Sequence, residues 1–257
     1  MQVGQCKHFS NQIDKFLKNH MDRPHFVTMA PFGNTTDTKM STKKDYIYEE
    51  ILGRLFNRRY RFGDPITVKE ISEETGVSRQ PIMTALYRLQ DSGFVRITAQ
   101  VGCEVVRPVP SEVADFYKMF AQIEGLIGQF AAERASPEEL AALRLTNEQI
   151  SSIPHGHPET AELYRKLNVV FHKQLHTMAR SPLVCSRQLA NFALSDFYLV
   201  QAGVFEQHIG HVSGEHDRII DAIARRDVAE ADRCAKEHID SVAKGLADRL
   251  ENLQRPT

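Results

Sequence analysis

Apolar positions along the chain fall into a few clear rhythms. Tyr46, Ile47, Ile51, Leu52, Leu55 and Phe56 recur at helical spacing and predict an amphipathic helix over residues 43–59. Gly63-Asp64-Pro65 then turns the chain. ITVKEISEETGV reads as a short helix with Ile71 and Thr75 inward and Gly76 at its end. Ile82, Ala85, Leu86 and Leu89 mark one face of the next helix. Ser78 is its N-cap, with a hydroxyl suited to accept from a free backbone N–H. Pro81 lies in the first turn, where its missing N–H costs nothing, and Gly93 follows the last turn. Two short helices joined by a tight glycine-containing turn predict a helix-turn-helix. The β-branched and aromatic run FVRITAQVGCEVVRP, interrupted from Ala99 to Gly102, predicts a hairpin. Together these make a winged helix, complete by Arg107, with Pro108 and Pro110 marking a linker.

Beyond Ser111 only helical rhythms remain. Val113, Phe116, Phe120, Ile123, Ile127, Phe130 and Ala131 form the inner stripe of a helix over 111–134. Ser136-Pro137-Glu138-Glu139 opens another helix, which runs to Ile150. SSIPHGHPE is a loop, and residues 159–179 are helical. Ser181-Pro182 starts a helix running to about His208, Gly210 and Gly214 precede one over 216–225, and Asp227 caps the last, to Leu250. The expected fold is mainly α. An N-terminal winged helix-turn-helix with a small β-hairpin wing, residues 41–108, precedes a C-terminal all-α antiparallel helical bundle, residues 111–252. Residues 1–40, in which 11–19 could form a short helix, read as a flexible N-terminal extension.

Composition narrows the class without naming a chemistry. The 257 residues are 42% hydrophobic and 25% charged, ordinary for a globular protein. No apolar run approaches the roughly 20 residues of a membrane helix, and the first twenty residues lack the apolar core of a secretory signal. Four dispersed cysteines, none in a CxxC pair, read as reduced thiols in a cytoplasmic protein. Of the net charge of −1, the predicted winged helix carries a small positive excess and the C-terminal part a negative one. That is the sign expected of a DNA-binding front half.

Two groups of residues carry candidate chemistry. Ser78, Arg79 and Gln80 stand at the start of the second helix of the helix-turn-helix, the end that enters the major groove, and all three can donate to phosphates or base edges. In the bundle, Asn168 and His172 are four apart on one helix and share a face. His216 and His238 lie equally far before and after the turn at Asp227, so an antiparallel helix pair sets them level. Three imidazoles and an amide oxygen suit a divalent metal such as Zn, Ni, Mn or Fe, with positions left for water or a ligand oxygen. His176, one turn beyond His172, could replace or supplement a ligand.

Residues 43–108 resemble the winged-helix domain of the GntR superfamily, most closely at GVSRQPIMTALYRLQDSGFV. The C-terminal part resembles the FCD effector domain of the FadR-type branch, through LNVVFHKQLH (167–176), EHDRIIDAIARRD (215–227) and the spacing to AKEHI (235–239). The resemblance implies a homodimeric regulator of transcription that binds double-stranded operator DNA and responds to a small effector, often an organic acid. It implies that Asn168, His172, His216 and His238 hold a divalent metal at the base of the effector cavity. Three departures from the pattern matter. Met83 stands where the family usually has a base-reading arginine, which leaves recognition to Arg79, Gln80 and Lys69, supported by Ser78, Thr84 and the wing around Gln100 and Gly102. Phe120 occupies the usual place of an arginine that helps to hold an acidic ligand; with Glu124, one turn on, it marks the expected effector pocket. Asn168 replaces the usual aspartate ligand, keeping the oxygen without its charge.

A competing reading is a helical-bundle metalloenzyme in which the histidines activate water. It needs a general base, for which Glu215 and Asp217 are the candidates, and the chain holds no HExxH signature. A third reading is a ligand-independent architectural or dimerisation module, which would have a solid bundle core.

Overall fold

A computed structural model describes residues 43–154 and 158–254. The expected N-terminal extension and its short helix lie outside the described residues. The first helix, α1 (Lys43–Phe56), buries Ile47, Ile51 and Leu55 and is followed by a short strand, β1 (Pro65–Ile66). Helix α2 (Val68–Thr75) starts on Thr67, whose hydroxyl accepts from the Glu70 amide, and stops at Gly76, whose φ of 68° is the left-handed conformation that ends helices. Helix α3 (Arg79–Asp91) buries Ile82, Ala85, Leu86 and Leu89. Ser78 has N-cap backbone geometry, but its hydroxyl makes no capping bond. The expected cap is thus one of backbone only.

Strands β2 (Val95–Thr98) and β3 (Gly102–Val105) pair antiparallel, with Ile97 opposite Cys103. Strand β1 adds to the far side of β3, so the sheet is three-stranded in the order β1-β3-β2. The third strand is two residues long and lies in the stretch expected to be only a turn, too short to show an alternation.

The rest of the described chain is helical: α4 (Pro110–Arg134), α5 (Pro137–Ser151), α6 (Pro158–Met178), α7 (Pro182–Ala202), α8 (Phe205–Ala224) and α9 (Val228–Gln254). Pro110 is the first residue of α4 and not part of a linker. Ser136 and Glu139 form a reciprocal capping box at the start of α5. The stripe of α4 is rotated from expectation. Tyr117, Ala121, Glu124, Gly125, Gly128 and Ala132 are buried, whereas Phe116, Ile123 and Phe130 are only half-buried. The cause is close packing on α9: a Cβ at Gly128 would stand 2.8 Å from the Ala231 carbonyl oxygen. Helix α7 ends at Gly203, with φ of 70°, well short of His208. Gly210 and Gly214 lie inside α8 instead of ahead of it; a helix tolerates such glycines at roughly 1 kcal/mol each.

Helix α7 joins the two halves of the molecule. Phe197 is fully buried within the winged-helix core, edge-on to Phe94 at 5.2 Å and to Phe62 at 5.7 Å. One turn later the Gln201 amide donates to the Leu55 and Tyr60 carbonyls, at 2.6 and 2.9 Å.

Candidate functional site: a histidine cluster and an exposed recognition helix

The bundle interior brings together residues from three helices. His172 comes from α6, His216 from α8 and His238 from α9, all at most 2% exposed. One ring nitrogen from each lies within 4.8 Å of the others. Each imidazole is oriented through its Nδ1. That of His172 pairs with Glu124 Oε1 at 2.9 Å, that of His238 with Glu215 Oε2 at 2.8 Å, and that of His216 with Asn147 Oδ1 at 3.1 Å. The Asn147 amide donates to Asp217 and to the Ser213 carbonyl, which fixes its oxygen toward His216. With every Nδ1 carrying the hydrogen, every Nε2 keeps its lone pair.

Those lone pairs converge. Nε2 of His172 and His238 are 3.4 Å apart, and Nε2 of His216 is buried without a hydrogen-bond partner among the described residues. Asn168 Oδ1, one turn before His172, is also buried and unpartnered among the described residues. Orphaned buried acceptors are costly in a dry interior. A divalent cation bound by three imidazoles and an amide oxygen removes that cost, and the carboxylate and amide partners behind the rings are what metal-ligating histidines require. Burial pushes the His172 imidazole down to about 4 and that of His216 well below its ordinary range, which keeps both neutral and able to ligate.

Glu124 lies behind this cluster. Burial opposes its charge, but His176 and His172 outweigh that and hold its carboxyl well below the usual range. It accepts from His176 Nε2 at 3.1 Å and from the Gln188 amide at 2.8 Å. His176 therefore braces Glu124 and does not join the three-histidine group. Glu215 and Asp217 are likewise engaged, in orienting His238 and Asn147.

A small pocket opens beside the cluster. Phe120 lines it, as do Asn168, His172 and His238, whereas Glu124 is not among the lining residues. Tyr164, Phe192, Ser195 and Asp196 line it too. The last of these had a sequence signal, a lone acid inside the apolar run FALSDFYLV.

On the winged helix, Ser78, Arg79 and Gln80 are exposed at the start of α3. Arg79 makes no ion pair among the described residues. Lys69 is 85% exposed and only loosely paired with Glu73, at 3.8 Å. Gly102 is exposed at the start of β3. Thr84 is half-buried, its hydroxyl donating to the Gln80 carbonyl at 3.1 Å. Met83 packs against the winged-helix core.

Comparison with known proteins matches residues 43–105 to the bacterial regulatory proteins of the gntR family and residues 115–241 to the FCD domain. The HTH-type transcriptional repressor NanR of Klebsiella aerogenes is 28% identical over 241 residues, covering 84% of this chain and 91% of that protein. The HTH-type transcriptional regulator YdhC of Bacillus subtilis is 24% identical over 209 residues, covering 79% and 91%. Among solved structures, E. coli McbR/YncC has a TM-score of 0.63 at 16% identity, covering 81% of this chain and 99% of that one. A GntR regulator from Rhodococcus sp. RHA1 has a TM-score of 0.62 at 13% identity, covering 84% and 100%.

Proposed function

Because the chain belongs to the GntR family of bacterial regulators and carries an FCD domain, we propose that it is a homodimeric transcription factor whose grip on operator DNA is set by a small carboxylate bound in the helical bundle. DNA binding and metabolite response are the business of this class, and an enzymatic reading has no support. The finer assignments are our own. Arg79 and Gln80 read bases from the start of α3. Ser78, with a hydroxyl free of capping duty, Lys69 and the wing at Gly102 hold phosphates, and Thr84 supports the Gln80 turn. A dimer sets two such helices in successive major grooves of a near-palindrome.

In the bundle, Asn168, His172, His216 and His238 would hold a divalent metal, with Zn, Ni and Mn all compatible with the donor set. When bound, it supplies a Lewis-acidic anchor for a ligand oxygen. Glu124, Glu215 and Asn147 aim the three rings. Phe120, Phe192 and Leu199 give the pocket apolar walls.

The observation that carries this reading is that α7 belongs to both sites. Ser195 and Asp196 line the pocket, while Phe197 and Gln201 are built into the winged helix. A ligand that shifts this helix alters how the DNA-binding heads are held, which biases the dimer between binding-competent and incompetent arrangements.

The reading is tested by gel retardation of the genomic DNA upstream of the coding region. The protein should retard it at low salt and lose affinity steeply as salt rises. Arg79→Ala should weaken specific retention by at least roughly tenfold, a typical loss for one base-reading arginine, and leave metal content and dimerisation unchanged. Absence of retardation at low salt overturns the reading.

A further inference from the structure

The pocket has a second polar feature besides the histidine cluster. Eleven described residues line it and none is Lys or Arg. Apart from the two histidines and Tyr164, its ionisable group is Asp196. Phe192 marks the histidine end, its ring 4.7 Å from that of His172. Asp196 is one turn further along α7, roughly 6 Å away by the helix rise. It is also level with Arg165, which lies two turns before His172 on α6.

Arg165 does not offer its charge to the pocket. Its Nη1 is 3.0 Å from Asp196 Oδ2, and its guanidinium lies 5.3 Å from the ring centroid of Phe56, on the winged-helix side. A ligand entering the pocket meets the carboxylate and not the cation behind it. Beside Asp196, Ser195 adds a hydroxyl engaged at 2.8 Å with that of Tyr117. Phe120, Phe192 and Leu199 contribute no polar side-chain atom. A second carboxylate at this end would face a like charge, and the nearby cation, Arg165, is already paired with Asp196 and does not line the pocket. A hydroxyl or ammonium would meet an acceptor.

We propose that Asp196 is the specificity-determining residue of the pocket, selecting a monocarboxylate that bears a hydrogen-bond donor, hydroxyl or ammonium, some four to five bonds from its carboxyl group and rejecting dicarboxylates of the same length. This rests on the reading above, in which the carboxyl end anchors at the histidine cluster. Asp196 offers the ligand a carboxylate acceptor, and burial, opposed by Arg165, raises it only to about 6, so it is mostly ionised at neutral pH. Rejection of a dianion therefore operates under ordinary conditions.

The test uses three probes of matched length with zinc-loaded full-length protein at pH 7.5: 5-aminovalerate, 5-hydroxyvalerate and glutarate, titrated calorimetrically. At least one donor-tailed probe should bind roughly tenfold or more tighter than glutarate, the size expected for one charge reversal in a desolvated site. In Asp196→Asn, whose amide both donates and accepts, glutarate should gain and the preference should shrink to about threefold or less. The parent-protein comparison decides the matter even where that variant fails to fold. Glutarate binding as tightly as the donor-tailed probes overturns the role of Asp196 and leaves the regulator reading intact. Failure of all three probes to bind zinc-loaded protein that still retards DNA overturns both the selectivity and the carboxylate anchor. Loss of DNA retardation as well is failure of the regulator reading itself.

Discussion

Asp196 and Phe197 are consecutive residues of one helix that serve two sites. Asp196 lines the bundle pocket, and the Phe197 ring is completely buried among Phe56, Phe62 and Phe94 of the winged helix. Successive residues of a helix point about 100° apart, so α7 faces both without a bend. The Gln201 bonds to Leu55 and Tyr60 fasten the same helix to the end of α1 and the turn beyond it.

Truncating the Phe197 ring should therefore damage the DNA-binding head and spare the histidine site. Phe197→Ala is expected to cost about 3–5 kcal/mol, the usual loss for a fully buried phenylalanine. Calorimetry should show an earlier transition for the winged helix, and metal analysis an unchanged stoichiometry. Metal loss in parallel with melting would mean that the head and the bundle do not separate as the packing implies.

Glu124 acts on the metal site only through His172. Glu124→Gln keeps the shape but removes the charge that holds the Nδ1 hydrogen and raises the basicity of Nε2. Zinc affinity, measured by competition with a chromophoric chelator, should fall by about 10–100-fold, as for other partners behind metal-ligating histidines. An unchanged affinity would show that His172 needs no such partner.

Stability should carry a pH signature from Asp196. Burial, opposed by Arg165, raises its carboxyl from 3.8 to about 6, so the folded protein holds this proton to higher pH than the unfolded chain does. The associated stability is complete below pH 3.8 and is lost as pH rises through about 6. Asp196→Asn cannot ionise, and Arg165, 28% exposed, can turn to water. In chelator-treated protein at pH 7.5 this variant should be the more stable by on the order of 3 kcal/mol, and the difference should close toward pH 4. Unfolding curves that keep the same spacing from pH 4 to 7.5 would contradict the assignment.

The winged helix was largely legible in the sequence because its signals are local. Gly76 and Gly93 mark helix ends, and Ile82, Ala85, Leu86 and Leu89 set one face unambiguously. The meeting of His216 and His238, whose rings stand 4.9 Å apart, follows from equal distances to one turn. What escaped depends on register between helices remote in sequence. Phe116, Ile123 and Phe130 suggested the wrong phase for α4, because Gly125 and Gly128, which look inert in sequence, are where α9 packs against it. Glu124 is buried because His172, His176 and Gln188 come to it from two other helices. Gly203 ends α7, whereas Gly210 and Gly214 end nothing, and composition alone does not separate these cases. The pocket role of Asp196 needed the pairing of α6 with α7.

The coupling of pocket to DNA head through α7 is the central claim, and hydrogen exchange across residues 54–62 tests it most directly. These amides sit where Gln201 and Phe197 meet the winged helix, and they can be followed in zinc-loaded and chelator-treated protein without knowledge of the natural effector. Zinc should change their protection by at least roughly threefold, under 1 kcal/mol by the usual conversion of ratio to free energy, and the change should vanish in His238→Ala. A zinc effect confined to α6, α8 and α9, with residues 54–62 unaltered, would contradict it.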